Sequence, residues 1–329
     1  MILCAGSFMC DLIAAHLPGI PGPGGLVYAP QGIELRTGGH AANVAIDLRQ
    51  LGEPHVAAAG GIGEDALGDY LAETLRRHGV EDHPERVRGH GTAKNVALIV
   101  EGEDKRFIAE LSANTMLSPG HVEAVMGRLK PSTFYLGTVG GLRLIDPEIP
   151  RLLEAAHGAG AATYLDVVMP FEKNWGHLMR ALSLIDVLHC NDAEAASITG
   201  LNDPAEAARR LTDAGPAIAV VTLGENGLVA STRGMTITMP PFRVGQVDPT
   251  GAGDALCAGV IHAASSMGLD RAGLRRIDAE AAESVLLEGE AAGAACVTEV
   301  GATEGVTERR VGALIRRQGS RVLAGARVL

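Results

Sequence analysis

The chain is predicted to fold as an α/β protein around a mostly parallel central sheet, and three observations carry that expectation. Short apolar runs alternate with longer amphipathic segments, the rhythm of strand–helix units. Hydrophobic residues make up 47% of 329 residues but aromatics only 3%, so a sizeable core must be built from Ala, Val, Leu and Ile. Near the C-terminal end, Asp248-Pro249-Thr250-Gly251-Ala252-Gly253-Asp254 runs straight into Ala255–Ile261, whose small apolar residues suit a helix packed tightly on a sheet.

In chain order, the apolar runs predict strands at Ile2–Gly6, His55–Gly60, Thr133–Leu136, Ala162–Asp166, Asp186–His189 and Ala217–Leu223. The amphipathic segments predict helices at Ala41–Leu51, Ala66–His78, Pro147–Ala159, Ala193–Thr199, Pro204–Ala214, Ala252–Met267 and Ala279–Ala295. A hairpin is expected from Leu228–Ser231 and Thr236–Met239. Val27–Thr37 and Val96–Glu110 break the rhythm with alternating residues and a Gly102-Glu103-Asp104 turn signal, which reads as extra strands inserted into the α/β frame. Pro18–Gly25 is a Pro/Gly-rich patch, and no internal repeat or linker divides the chain.

Composition excludes several classes. A net charge of −11 argues against a nucleic-acid binder, whose footprint is basic. Arg275-Arg276 and Arg309-Arg310 read as solvated helix faces. Five cysteines form no C-x-x-C pair and sit mostly in apolar runs, the pattern of buried reduced thiols in a cytosolic protein. No apolar stretch reaches about 18 residues and Met1–Ser7 reads as a first strand, so neither an export signal nor a membrane span is expected. There is no Gly-Lys dipeptide for a P-loop, no complete G-x-G-x-x-G after the first strand, and no H-E-x-x-H zinc signature. His40 and His262 read as a loop residue and a helix-face residue.

The Asp248–Asp254 stretch carries the chemistry. The first N–H groups of a helix have no internal partner, and the helix dipole favours negative charge there. Gly251 and Gly253 place no side chain in the way of an anion, and the amides of Gly251, Ala252 and Gly253 can wrap it. Asp254 would stand beside that anion and could take a proton from an attacking hydroxyl. The plainer reading is an ordinary helix start capped by Asp248 or Thr250.

From Asp248 to Gly259 the string resembles the C-terminal signature of the ribokinase/PfkB family of carbohydrate kinases. Gly38-Gly39-His40-Ala41-Ala42-Asn43 and Gly60–Gly68 resemble the family's N-terminal signature. Asp11 stands where the family keeps a sugar-binding Asp, although a turn Asp would look the same. Asn114 resembles the last residue of a Gly-Ala-Asn element that follows the lid in relatives. Asn191-Asp192-Ala193-Glu194 is similar to the N-x-x-E element that orders Mg²⁺ around the ATP phosphates; read as bare residues, it is an N-cap with a first-turn acid. Thr222-Leu223-Gly224-Glu225-Asn226-Gly227 is similar to the T-x-G-x-x-G turn that borders the nucleotide, and would equally serve a plain β-turn. Asp166 and Trp175 resemble part of a fructokinase-type string, but Val168 and Pro170 occupy its Asn and Arg positions, so that specificity inference fails. Glu290 stands where ribokinases have Asn near the adenine.

The resemblance implies one ribokinase-like domain over 1–329, a three-layer α/β/α sandwich with a small β-sheet lid whose strands are inserted at about 12–37 and 88–110. It implies transfer of the γ-phosphoryl group of MgATP to a sugar hydroxyl, with Asp254 as base and the Gly251–Gly253 amides as anion hole. Asp11, Gly38, Gly39 and Asn43 would hold the sugar, and Asn191, Thr222, Gly224 and Gly227 the nucleotide. Glu194 would hold Mg²⁺ through water, and Asp248 a monovalent cation such as K⁺. A cytoplasmic enzyme that pairs into a homodimer through the lid, with no nucleic acid or membrane as partner, completes the expectation. The alternatives are a nucleoside kinase on the same fold, for which Phe8 and Phe107 are the aromatic candidates, and a non-catalytic sugar-sensing module. Lys105 and Arg106 in the lid segment leave a sugar phosphate acceptor open, beside their plainer reading as solvated strand-end charges.

Overall fold

A computed structural model describes residues 1–103, 106–170 and 174–329. The strands run β1 (Ile2–Gly6), β2 (Met9–Leu17), β3 (Glu34–Gly38), β4 (Val56–Ile62), β5 (Glu81–Arg86), β6 (Lys94–Val100), β7 (Arg106–Glu110), β8 (Thr133–Val139), β9 (Ala162–Val167), β10 (Val187–Asn191), β11 (Ile218–Thr222), β12 (Leu228–Thr232), β13 (Thr236–Met239) and β14 (Arg327–Val328). Ten of them form one sheet in the order β14-β13-β12-β11-β10-β9-β8-β1-β4-β5, parallel from β5 to β11 and antiparallel beyond. The other four form a separate sheet, β3-β2-β6-β7.

Alternate residues of the large sheet feed two apolar cores, because successive strand side chains point to opposite faces. Ile2, Cys4 and Val220 pack with the helices His40–Leu51, Ala66–Arg77, Ala252–Ser266, Ala279–Cys296 and Glu308–Gly325. Leu3, Ala5 and Val221 pack with Pro119–Leu129, Ile149–Gly158, Gly176–Ala181, Asp192–Thr199 and Pro204–Asp213. The result is the mostly parallel sheet that the alternating pattern predicts, in the three-layer sandwich that the resemblance implies. The scarcity of aromatics is met by close helix contacts: a methyl at Gly259 would lie 2.7 Å from the Glu288 carbonyl of the neighbouring helix.

The parallel strands lie close to their predicted places. The inserted strands differ more. Val27–Ile33 is not strand, and the small sheet draws instead on Met9–Leu17, which pairs antiparallel with Glu34–Gly38 and parallel with Lys94–Val100. The turn signal near Gly102 holds, with Glu103 N–H donating to Val100 O at 3.2 Å, while Asp104 and Lys105 lie outside the described residues. Arg106 is exposed and pairs with Glu103, as solvated strand-end charges do. All five cysteines are buried and free. Arg275 is not merely a solvated charge, because it reaches the fully buried Asp186 at 3.0 Å. No helix among the described residues is long and apolar enough to cross a membrane.

Chain direction across the sheet reverses between β1 and β8: the chain leaves β1 toward β4 and β5, then returns to β8 on the other side. In open parallel sheets, a crevice forms at the carboxyl ends of the strands beside such a switch point. Here Ser7 and Thr138 meet there, oxygen to oxygen at 2.5 Å, and Ser7 Oγ accepts the His40 N–H at 3.1 Å.

Candidate active site

Two cavities open at this end of the sheet. One, of about 740 Å³, is bordered by Asn191, Thr222, Gly224, Gly227, Glu290 and Val297 among others. The second, of about 710 Å³, is bordered by Asp11, Gly39, His40, Asn43, Asn95 and Thr138 among others. The turn before the helix Ala252–Ser266 stands between them. Pro249, Ala252 and Gly253 face the first cavity, and Thr250, Gly251 and Asp254 face the second.

That turn is built by its sequence. Asp248 accepts the Thr250 N–H at 2.8 Å on one oxygen and the Gly301 N–H at 3.2 Å on the other, which folds the chain back on itself. Gly251 then takes φ 80°, a left-handed conformation that favours glycine, and no side chain caps the helix. Among the described residues, the N–H groups of Gly251, Gly253 and Asp254 donate to no protein acceptor, while the Ala252 N–H makes a long bond to Pro249 O at 3.3 Å. The glycines also have a packing reason that the motif does not reveal. A methyl at Gly251 would lie 2.6 Å from the Ala302 side chain, and one at Gly253 2.9 Å from the His189 ring.

Asp254 is 6% exposed and held from two sides. Asn43 Nδ2 donates to its Oδ2 at 2.8 Å, and His40 Nδ1 lies 3.3 Å from its Oδ1. Burial raises the Asp254 pKa above the ordinary carboxylate range, His40 pulls it down, and Asp166 pushes it up. His40 is therefore not a loop residue in solvent but part of the site. Its Nδ1 also donates to Asp166 Oδ2 at 3.1 Å. Asp166 Oδ1 in turn accepts from His189 Nδ1 at 2.7 Å, and its Oδ2 also accepts from the Tyr135 hydroxyl at 3.2 Å. Burial opposes the charge on both imidazoles, yet the carboxylates outweigh it and raise both pKa values, His40 to about 10. Burial would raise Asp166 as well, but His189 and His40 hold it well below the ordinary carboxylate range. His262, by contrast, is a helix-face residue that meets Glu288 of the neighbouring helix.

The sequence-predicted residues are mostly brought together, several for reasons other than the expected one. Asp11 sits on β2 of the small sheet, 6% exposed, and Asn95 Nδ2 on the facing strand donates to it at 3.2 Å. Burial raises its pKa to about 6, the Asn95 hydrogen bond lowers it, and Asp254 and Asp248 push it up. Gly38 does not border the cavity: its Cα faces the Asp11 carboxylate so closely that a methyl would lie 2.1 Å from Oδ2. Asn43 has committed its amide donor to Asp254. Asn191 and Glu194 form a reciprocal capping box, with Glu194 N–H on Asn191 Oδ1 at 2.8 Å and Asn191 N–H on Glu194 Oε2 at 2.9 Å. Asn114 clamps the Phe8 backbone, accepting its N–H at 3.0 Å and donating to its carbonyl at 2.9 Å.

Thr222 borders the first cavity and lies 3.3 Å from His189 Nε2, and Gly224 and Gly227 shape the turn beside it. Glu290 borders the same cavity, its pKa raised to about 7 by burial and lowered in part by the Phe242 N–H. The residues that sequence reasoning passed over are His40, His189, Asn95 and Thr138. His40 was inside a quoted motif, and Asn95 faces Asp11 across paired strands; His189 carried no signal beyond its place in an apolar run. Thr138, at φ 64° without being glycine, is a strained residue of the kind that gathers at functional sites.

The pfkB family carbohydrate kinase model matches residues 1–309. A fructokinase of Klebsiella pneumoniae is 27% identical over 281 residues, covering 79% of this chain and 84% of that protein. A fructokinase of Xylella fastidiosa, solved with bound ATP, superposes with TM-score 0.81 at 25% identity, covering 97% of this chain and 98% of that one. A putative ribokinase II of E. coli in complex with ATP and Mg²⁺ superposes with TM-score 0.79 at 20% identity, covering 96% and 99%. The chain belongs to the pfkB family of carbohydrate kinases, phosphotransferases that act on sugar hydroxyls.

Proposed function

We propose that this sugar kinase works as one ribokinase-like domain over residues 1–329 and that phosphoryl transfer takes place at the turn from Gly251 to Asp254. The observation that carries this reading is the turn's position: its residues divide between two cavities, with Asp254 facing one and Gly253 the other. The cavity beside Asp254 holds the sugar. Its border supplies a carboxylate and amides, Asp11, Asn43 and Asn95, which suit vicinal hydroxyls, and Gly39 lets backbone approach them. No aromatic borders it among the described residues; Phe8 is buried beneath Gly60 and Phe107 is 54% exposed on β7. The Asp11, Asn43 and Asn95 side chains on its border favour a sugar over a nucleoside. The cavity beside Gly253 takes ATP, with Asn191, Thr222, Gly224 and Gly227 along its wall.

In this mechanism the sugar hydroxyl gives its proton to the Asp254 carboxylate as its oxygen bonds to the γ-phosphorus. The bond from that phosphorus to the β–γ bridging oxygen breaks, and ADP leaves. The N–H groups of Gly251 and Gly253, which donate to no acceptor among the described residues, receive the charge that builds on the phosphoryl oxygens, with Ala252 completing the turn. Asn43 aims the Asp254 carboxylate. Glu194 keeps one carboxylate oxygen outside its capping box, a hard donor that fits Mg²⁺ through water. When bound, Mg²⁺ would neutralise polyphosphate charge. Asp248 already uses both oxygens on backbone N–H groups, so its work in this reading is to hold the turn, and a K⁺ role there would be read by comparing turnover in potassium and sodium salts.

Replacing Asp254 by Asn keeps the shape and removes the base, so ADP formation in the presence of sugar should fall by roughly 10²-fold or more. Wild-type turnover in a folded Asp254→Asn protein would overturn the assignment. Sugar binding without any ADP release by the wild type would instead support a sensing module. We also read the β7 edge as the face on which a second copy pairs in the cytoplasm. All five of its residues are exposed, with Phe107 and Ile108 54% and 66% exposed. A monomeric mass by sedimentation would remove that part.

A further inference from the structure

We infer that His40 is a positioning residue, a fixed cation between Asp166 and Asp254 that holds the Asp254 carboxylate aimed and able to accept a proton. The inference deepens the reading of Asp254 as base and rests on it.

The geometry is specific to the side chains present. His40 Nδ1 lies 3.1 Å from Asp166 Oδ2, to which it donates, and 3.3 Å from Asp254 Oδ1 in an ion-pair contact, so one imidazole stands between two carboxylates. Asp166 is buried to 2% exposure and anchored from behind by His189 and Tyr135, which keeps the imidazole from rotating away. Among the described residues Asp254 Oδ1 accepts no hydrogen bond: Asn43 takes Oδ2, and the buried Oδ1 is met by the charge of the His40 imidazole. An ionised carboxyl left there without a cation would be costly to bury, and it would shed its charge by binding a proton. That outcome would disable a base.

The charged groups around this centre come from several elements. Asp166 stands on β9, His189 on β10, Glu194 on the helix after β10, and Asp11 on β2. Asp47 lies two turns further along the helix that starts at His40, fully buried, with its pKa pushed well above the ordinary range by burial and then by Asp254. Glu194 and Asp166 add to the pull that keeps His40 charged. Among these groups, the cation in contact with Asp254 is His40, while His189 acts on it from behind Asp166.

Turnover needs ionised Asp254, so activity falls on the acid side as that carboxylate is protonated. Removing the adjacent cation raises the pH at which this happens. His40→Gln should therefore move the acid limb of the kcat profile up by about one pH unit or more, a loss of about tenfold on that limb, with KM for ATP little changed. His40→Lys restores a cation and should bring the limb back toward wild type. Imidazole ¹⁵N spectra of the wild type should show His40 doubly protonated at pH 8, which requires no variant to fold. An unchanged acid limb in folded His40→Gln, or a His40 that titrates near pH 6.5, overturns the inference. Asp254→Asn measured alongside separates the two failures: if it is inactive while His40→Gln behaves as wild type, the base assignment stands and the role of His40 falls.

Discussion

The two cavities on either side of the Gly251–Asp254 turn are similar in size and unlike in chemistry. The cavity beside Asp254, proposed for the sugar, is bordered by buried or half-buried ionisable and amide side chains bonded to one another, Asp254 to His40 and Asn43, and Asp11 to Asn95, with apolar carbon from Met9, Leu111, Val168 and Met169. The cavity beside Gly253, proposed for the nucleotide, is bordered by exposed charged and amide side chains, Asp192, Glu225, Arg243 and Gln246, set among glycine and apolar carbon, with the Asn191 cap at one end and the Glu290 carboxyl among its wall. The difference follows the work each must do. A polyphosphate carries its own charge and is satisfied by backbone N–H groups that need no side chain. A neutral sugar hydroxyl has to be oriented and deprotonated, which needs carboxylates held at a set pKa.

The contrast can be broken or sharpened by substitution. The largest effect is expected at Gly253, where the turn meets the nucleotide side. Gly253→Val puts branched carbon against the His189 ring and over the free amides, and should raise the barrier by about 3–4 kcal/mol, seen as kcat/KM for ATP. A variant that keeps wild-type kcat/KM would show that those amides do not meet the transferring group.

Asp11→Asn comes next and should act on the sugar alone. Losing a charged acceptor costs about 1.5–3 kcal/mol, read as a rise in KM for the sugar with KM for ATP steady. Because the Asp11 pKa lies at about 6, wild-type sugar binding should strengthen as pH rises through that value, and the variant should lose this dependence. An equal rise in both KM values would mean the cavities are not separable.

The smallest effect concerns stability. The Glu290 carboxyl is raised to about 7 in the folded protein against 4.5 as an ordinary Glu. The folded chain therefore binds more protons than the unfolded one between those values, and stability declines as pH rises through that window. Glu290→Gln should flatten the decline, a difference of about 2–4 °C in Tm between pH 5 and pH 7.5. Identical Tm–pH curves for the two proteins would place that carboxyl in water.

Parts of the fold were legible because their signals are local. The parallel strands are short apolar runs with no competing reading, and the Asp248–Asp254 string marks its helix start by glycine and carboxylate spacing. Two missed helices had caps in plain view, Ser118 before Pro119 and Thr307 before Glu308. Strand β5, Glu-Asp-His-Pro-Glu-Arg, could not be read from apolar alternation, because an edge strand keeps one side to solvent and tolerates Pro. Among residues that border the two cavities, Asp254, Asp11 and Thr222 carry a motif signal, whereas His40 reads as a loop residue in the sequence and His189, beside Thr222, carries no signal.

By itself the sequence determined the layered architecture, the helix that begins at Ala252, and the carboxylate on its first turn, since propensity, capping and glycine placement act within a few residues. Only the tertiary structure decided what surrounds that carboxylate. Asn43 and His40 on one helix, Asp166 on β9 and His189 on β10 stand on three different elements and converge through sheet order. A side chain's charge depends on burial and on neighbours distant in sequence, so the same folding that hides Asp254 from water also supplies the imidazole and amide that oppose its neutralisation.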